Sequence, residues 1–454
     1  MKVIVAGCGK IGRTVVGSLV AEEHDVIAID LDKDVLEDLT NTYDIMTICG
    51  NCADSDVLEE CGIDSAALFV ALTNLDELNM LSCFIAKRMG AGNTIARIRN
   101  PEYNDNSLGF LKQELDLNMA INPDMLTAYE LYNILKLPSA VKIESFSRRN
   151  FEMVELIIKD GSELDGVKLS DLKGKYNSKV LICAVQRGES VYIPDGNFVL
   201  RSGDKIGISA APSDILKLLK TLGLLQKQSK NVMILGGSKS AFYLAKMLIN
   251  SGASVKIIEK DIERCNELCQ ELPKAMIICG DGAQQELLLE EGLRSMDAFV
   301  ALTGMDEENI LISIYAAANS VPKVISKVNR TELGIMATRL GLDCIVYPKN
   351  VTSDIFVRYA RALKNSMGSN VETLYKIMDG KAEALEFRVH PESDITEKPL
   401  KELQFKKDIL IAGIIRGKKT IIPGGDDVIL ANDRVIVVSR DKKLHDLSDI
   451  LELY

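Results

Sequence analysis

The stretch AFVALTGMDEEN (residues 298–309) repeats, almost letter for letter, LFVALTNLDELN at residues 68–79. Eight of the eleven positions from Phe69 to Asn79 are identical to Phe299 to Asn309, at an offset of 230 residues. A copy displaced this far implies that a whole folding unit is repeated. Laying one half of the chain over the other therefore decides the fold.

Working outward, VIVAGCGKIG (residues 3–12) is an apolar run followed by Gly-x-Gly-x-x-Gly. VMILGGSKSA (residues 232–241) has the same layout, with Gly236, Ser238 and Ala241 at the three glycine positions. The next apolar run ends in an acid in both halves, Asp30 lying 23 residues after Gly7 and Glu259 lying 23 after Gly236. MTICGNCAD, from Met46, faces MIICGDGAQ, from Met276, and sets Asn51 opposite Asp281. Arg97 in IARIRNPEY faces Lys327 in ISKVNRTEL. A second unit repeats as well: residues 181–208 lie over 410–437, pairing Pro194 with Pro423 and Asp204 with Asp433 at an offset of 229. The order is A-B-A′-B′.

The A segments, 1–135 and 230–351, alternate short Val/Ile-rich runs with helical periods such as Val15, Val16, Leu19 and Val20. Runs that are apolar throughout, such as Val26 to Ile29, suit strands buried on both faces of a parallel sheet. The fold class expected is α/β: two Rossmann-like, doubly wound parallel-sheet domains alternating with two small α+β domains. The small domains, 136–225 and 352–454, have β-rich runs joined by turns such as PDG and PGG. A βαβ-type sandwich closing with an amphipathic helix is expected for them. Helical crossovers at about 125–148 and 352–378 join A to B. Their apolar faces, in YELYNILKL and FVRYARALK, are too large for a monomer and are expected to pack against another chain.

A lone glycine motif is a weak signal. Here it follows a strand, opens a helix and meets an acid at the end of the second strand, which is the full context of a dinucleotide site. Gly7 permits the tight turn, Gly9 lets the backbone approach a diphosphate, and Gly12 allows helix to pack on strand. The amides of Lys10 and Ile11 point at the anion from the helix N-terminus. Asp30 is placed to accept both hydroxyls of an adenosine ribose, at about 1.5–3 kcal/mol per bond. Its charge opposes a 2′-phosphate, so NAD(H) is expected over NADP(H). In the second copy Ser238 still admits a phosphate, Ala241 adds a methyl group, and Glu259 is one methylene longer. Thr73 with Asn74, and Thr303 with Gly304, stand at the carboxyl end of the fourth strand, where open sheets bind ligands. The acids that follow, Asp76-Glu77 and Asp306-Glu307, read as helix caps. Arg97 and Lys327 would bring a cation to the phosphates or to a subunit contact.

Other features exclude more than they propose. A net charge of −11 argues against nucleic acid as a partner, since phosphate backbones are bound by basic stripes. No apolar run approaches the roughly 18 residues of a membrane span, and ten cysteines without a leader-like start suggest a reducing, cytosolic setting. Cys49-x-x-Cys52 has Cys279-Asp-Gly as its counterpart and is set aside as a redox pair, and Cys265 and Cys269 lack further zinc ligands. His24, His390 and His445 lie away from both glycine loops and are expected at the surface, with His445 in the last helix.

A dehydrogenase needs a second domain that presents an acid or base, and the B segments show no such constellation. An NAD-dependent oxidoreductase is therefore the alternative reading. Doubling the nucleotide domain suits a receptor in which occupancy changes the angle between domains. The glycine loop with Asp30, ICGNCAD and ICGDGAQ, the two FVALT segments, IARIRNPEY and both RG…IP segments resemble the TrkA-type regulatory subunits of Trk potassium uptake systems, which carry tandem RCK (KTN) units. That resemblance spans essentially the whole chain. It implies no enzyme activity, but a cytoplasmic protein held on the inner face of the membrane as a ring of four chains, beneath a TrkH- or TrkG-like potassium-translocating subunit. It implies NAD(H) as ligand, with ATP or ADP in several members; cyclic di-AMP at the B units has no motif here. The ligand residues it implies are Gly7, Cys8, Gly9, Lys10, Ile11, Asp30, Thr73, Asn74 and Arg97 in the first half. In the second they are Gly236, Gly237, Ser238, Lys239, Ser240, Glu259, Thr303, Gly304 and Lys327.

Overall fold

The computed structural model describes the chain apart from residues 102, 104, 147–149, 177–178, 226–227, 366–370, 392, 394, 441–443, 445 and 453–454. His445 thus lies outside the described residues. Strands β1 (Lys2–Ala6), β2 (Asp25–Asp30), β3 (Met46–Cys49), β4 (Leu68–Ala71), β5 (Asn93–Arg97) and β6 (Met119–Ile121) form an all-parallel sheet in the order β3-β2-β1-β4-β5-β6. The order reverses between β1 and β4, which opens a crevice at their carboxyl ends. The next sheet holds β7 (Lys142–Phe146), β8 (Phe151–Ile157), β9 (Leu181–Arg187), β10 (Ser190–Tyr192) and β11 (Lys205–Ala210) in the order β10-β9-β11-β8-β7.

The second half repeats both. Strands β12 (Asn231–Leu235), β13 (Ser254–Glu259), β14 (Met276–Cys279), β15 (Ala298–Ala301), β16 (Lys323–Lys327) and β17 (Ile345–Val346) form the parallel sheet β14-β13-β12-β15-β16-β17. Strands β18 (Val371–Ile377), β19 (Ala382–Arg388), β20 (Ile409–Arg416), β21 (Lys419–Ile421) and β22 (Arg434–Arg440) follow in the order β18-β19-β22-β20-β21. The FVA of each FVALT thus lies in the strand next to β1 or β12, fully buried, with the Leu-Thr just past its carboxyl end.

The small units depart from the βαβ expectation, because among the described residues every pair of named strands in them is antiparallel. The first closes with the helix Pro212–Thr221, the second with a single 3-10 turn at Leu447–Ile450. Their strands read as continuously apolar because the two sheets pack on each other. Phe146, Phe151 and Met153 of one lie against Ala384, Ile436 and Val438 of the other.

The crossover helices also differ from expectation, since each is covered within the chain. The first, Pro123–Lys136, lays Ala128, Leu131, Ile134 and Leu135 on the second parallel-sheet unit, against Phe242, Ala245 and Leu248 of its glycine helix, Lys239–Asn250. The second, Pro348–Asn365, lays Phe356 and Ala360 on the first unit, beside Val15, Val16 and Leu19 of its glycine helix, Lys10–Ala21. At about 1.5–3 kcal/mol for each large apolar side chain removed from water, this exchange binds the halves together. The apolar stripes are therefore no argument for a second chain. Arg361 strengthens the second exchange, pairing with Glu22 at 2.5 Å and with Glu383 at 3.0 Å. Among the described residues, no helix is long and apolar enough to cross a membrane.

Candidate functional site

Each glycine loop is held open by backbone geometry. Gly7 has φ +88°, and a Cβ there would lie 2.5 Å from the Thr73 amide nitrogen. A Cβ on Gly12 would stand 2.0 Å from the Gly7 carbonyl oxygen, whereas one on Gly9 would meet nothing within 4 Å. The first and third glycines are thus required by the protein's own packing, and the middle one leaves the space a diphosphate would fill. In the second half Gly236 repeats the turn at φ +92° with a looser approach, 3.0 Å to the Thr303 nitrogen. Ser238, at the middle position, turns its hydroxyl onto the helix and accepts from the Ala241 amide.

The two acids sit alike. Asp30 accepts from the Cys8 amide at 2.6 Å and from the Asp32 amide at 3.0 Å. Glu259 accepts from the Gly237 amide at 2.5 Å and the Asp261 amide at 2.9 Å, so its extra methylene is absorbed without loss of either contact. The carboxylates are oriented by these amides at the edge of the loop, with lone pairs to spare for a ribose.

A cavity of about 730 Å³ lies over the first loop. Gly7, Gly9, Lys10, Ile11, Gly12, Asp30, Asn51, Thr73, Asn74 and Arg97 all line it. Cys8 does not: its thiol is turned into the core, and burial together with the Asp30 charge pushes it up to about 12. A cavity of about 630 Å³ lies over the second loop, lined by Gly236, Gly237, Ser238, Lys239, Glu259, Asp281, Thr303 and Gly304. Ser240 and Lys327 stand outside it. Ser240 turns to Asp124 of the first crossover helix, and Lys327 Nζ donates to the Leu302 carbonyl at 3.2 Å. Burial lowers the Lys327 ammonium from its ordinary value.

Arg97 is 6 % exposed, and its Nη1 donates to the carbonyls of Leu72 and Thr73 at 3.3 and 3.2 Å. Its Nε has no partner among the described residues, and burial, with Arg99 nearby, lowers the guanidinium from its ordinary value. An orphaned donor in a cavity wall, a loop shaped for a diphosphate and an oriented carboxylate together fit an adenine nucleotide.

One pair of positioning residues escaped the sequence reading. Asn79, fully buried, accepts from the Thr73 amide and hydroxyl at 2.8 and 2.7 Å and donates to the carbonyls of Thr73 and Arg97 at 3.1 and 2.9 Å. Asn309 repeats these bonds with Thr303 and Lys327. Both end the copied stretch, and their identity there was the available signal. Asp76 and Asp306 are not caps of their own helices. Asp76 accepts from the amides of Arg99 and Asn100, and Asp306 from those of Asn329 and Arg330, so each fastens the loop after β5 or β16. His24 is likewise no surface residue: it is 7 % exposed, and neither ring nitrogen has a hydrogen-bond partner among the described residues. His390 is exposed, just beyond β19. All ten cysteines are free, and among the described residues no group of three His, Cys, Asp or Glu is arranged to hold a metal.

Residues 3–123 and 232–348 each match the TrkA-N domain, and residues 153–223 and 384–452 each match the TrkA-C domain. The chain belongs to the TrkA family. A TrkA homolog of the Trk potassium uptake system from Archaeoglobus fulgidus is 34 % identical over 450 residues, spanning 99 % of this chain and 100 % of the relative. The Trk system potassium uptake protein TrkA of Vibrio alginolyticus is 29 % identical over 460 residues, spanning 100 % of this chain and 98 % of that protein. Among solved structures, the GsuK RCK domain aligns at TM-score 0.62 and 16 % identity, over 97 % of this chain and 92 % of that one. The GsuK channel bound to NAD gives TM-score 0.62 at 16 % identity, over 97 % of this chain and 77 % of that one. The fold of this chain is therefore like that of the GsuK RCK domain.

Proposed function

We propose that this TrkA-family chain is the nucleotide-sensing gating subunit of a Trk-type potassium uptake system, acting on a potassium-translocating membrane subunit from the cytoplasmic face. It is read as four units, 1–135, 136–225, 230–351 and 352–454, and as a sensor rather than a catalyst. NAD(H) is assigned to the first site through Asp30, Gly7, Gly9 and Gly12, and ATP or ADP is the candidate for the second.

The observation that carries this reading is the helix exchange. The helix leaving each nucleotide unit is packed on the other nucleotide unit. A ligand that changes one unit's loop must therefore move a helix anchored in both halves, which is what a gating device requires. The relatives' names supply potassium uptake as the process.

Assembly as a homo-oligomer, with a ring of four as the preferred state, finds support on a different face from the crossovers. Leu81 of the helix Asp76–Arg88 and Leu311 of the helix Asp306–Ala318, equivalent in the repeat, are 50 % and 65 % exposed. Phe110, Ile335 and Met336 extend the same kind of exposed apolar surface on the helices that follow. Growth at limiting potassium of cells that lack this subunit tests the function. Restoration by the intact chain but not by Asp30→Ala supports it. Full restoration by both Asp30→Ala and Glu259→Ala would show that neither site senses anything.

A further inference from the structure

The second half carries a pair of thiols that the first half does not. Cys265 lies on the helix Ile262–Glu271, and Cys279 ends β14. Leu36 and Cys49 stand at the corresponding positions of the first half, so the repeat has one sulfur there instead of two. Both cysteines of the second half meet at Glu259, the acid of the second glycine loop. Cys279 is the register partner of Glu259 across β13 and β14, and such neighbours stand about 4.8 Å apart. Cys265 Sγ donates to the Glu259 carbonyl at 3.3 Å. The two thiols are also in hydrogen-bonding contact with each other.

The pair is divided between core and surface. Cys265 is 4 % exposed, whereas Cys279 stands in the open. Burial first, and then the Cys279 thiol beside it, push Cys265 up to about 12, so Cys279 is the sulfur that an oxidant meets first. The second cavity adjoins both. Gly280 and Asp281, directly after Cys279, line it, as do Glu259 and Asp261, and Asp261 caps the helix of Cys265. The Glu259 carbonyl also accepts from the Gly280 amide at 2.9 Å. A bond between the two sulfurs takes the thiol donor away from that carbonyl. It also fastens the helix to the strand end beneath the ribose acid.

We infer that Cys265 and Cys279 are a reversible disulfide site, through which a peroxide weakens ligand binding at the second glycine loop. The disulfide rests on this geometry alone, and its effect on binding rests on the nucleotide reading of the second site. Cys279, as the thiolate, takes one oxygen from the peroxide and becomes a sulfenic acid, and the hydroxide released gains a proton to leave as water. The Cys265 sulfur then attacks that of Cys279. The S–O bond breaks, and the oxygen leaves as a second water with the Cys265 proton. Two thiols and one peroxide thus give one disulfide and two waters. A small-molecule thiol reverses the bond by exchange.

The test oxidises the full chain with hydrogen peroxide and maps its unreduced peptides by mass spectrometry. A peptide pair joined through Cys265 and Cys279 is expected, lost on adding dithiothreitol and absent from Cys279→Ser, a change at an exposed position that spares the fold. Cys269→Ser, on the same helix, should keep the link. The binding heat of ADP to the full chain carrying Asp30→Ala, which silences the first site, should then fall in affinity about fivefold or more on oxidation. Added Cys279→Ser should remove that response. Oxidation that stops at a sulfenic or higher acid, or that joins Cys279 to another cysteine, overturns the disulfide site. Unchanged or tighter ADP binding in the linked chain overturns its effect on the loop. Failure of the nucleotide reading looks different: the link still forms, but the reduced chain shows no ADP binding that Glu259→Ala removes.

Discussion

The hydroxyl of Ser240 donates to the carboxylate of Asp124 at 2.9 Å, across 116 positions of sequence. The other carboxylate oxygen holds Arg99, a wall residue of the first cavity, at 2.7 Å. One side chain at the start of the first crossover helix thus touches the glycine helix of the second site and the wall of the first. Ligand binding at the two sites should accordingly be coupled, in the usual range of about 5- to 150-fold. Titrating ATP with and without saturating NADH measures the factor, and Ser240→Ala should move it toward one. A factor unchanged by Ser240→Ala would rule this contact out as the link.

In each small unit an arginine clamps an acid at the start of the last long strand. Arg187 Nε and Nη2 each donate to Asp204 at 2.7 Å, and Arg416 meets Asp433 at 2.9 and 2.7 Å. Asp204 is fully buried and Asp433 nearly so. Arg187→Ala leaves Asp204 uncompensated and should destabilise the first small unit by about 3 kcal/mol. Arg187→Lys should recover little, because an ammonium cannot make the two-pronged contact. Thermal unfolding followed by circular dichroism reads both, and wild-type stability in Arg187→Ala would contradict this account of the repeated RG and GD/ND positions.

Asn79→Ala removes four hydrogen bonds that fix the carboxyl ends of β4 and β5. With buried donors and acceptors left unpaired at about 1–3 kcal/mol each, stability should fall by several kcal/mol. In the folded fraction, nucleotide affinity at the first site should fall while the second site is unaffected. Asn309→Ala should show the reverse selectivity, and equal loss at both sites in either variant would count against the local role.

His24 has its pKa lowered to about 4, first by burial and then by the positive N-terminus, Lys364 and Arg361 around it. The folded state therefore favours the neutral ring. Its contribution to stability is fully present above about pH 6.5, the unfolded value, and is lost as pH falls toward 4. Ring-proton NMR should show one histidine that stays neutral at pH 5, and His24→Asn should reduce the loss of stability between pH 6.5 and 4. A His24 titrating near 6.5 would contradict its burial.

The sequence carried the parallel-sheet units well, because a repeat offset, a glycine loop and an acid at the end of β2 or β13 constrain one another. It was silent on what covers the crossover helices. The Leu131, Ile134 and Leu135 stripe says only that an apolar partner exists, and burial on the second half satisfies it as fully as another chain would. The antiparallel pairing of the small units was obscured by their packing. Both faces of strands such as β11 are buried, which erases the alternation that marks a one-sided sheet. Asp76 and Asp306 were misread as caps because their acceptors' partners lie 23 or 24 residues away. Helix position alone cannot distinguish a cap from such a brace.

The most direct measurement is calorimetric titration of the full chain with NADH and with ATP, beside Asp30→Ala and Glu259→Ala. The account predicts two separable binding events. Asp30→Ala should abolish NADH binding and spare the second event, and Glu259→Ala should do the opposite. A single binding event that survives both substitutions would contradict it, because the ligand would then sit in neither glycine-loop cavity.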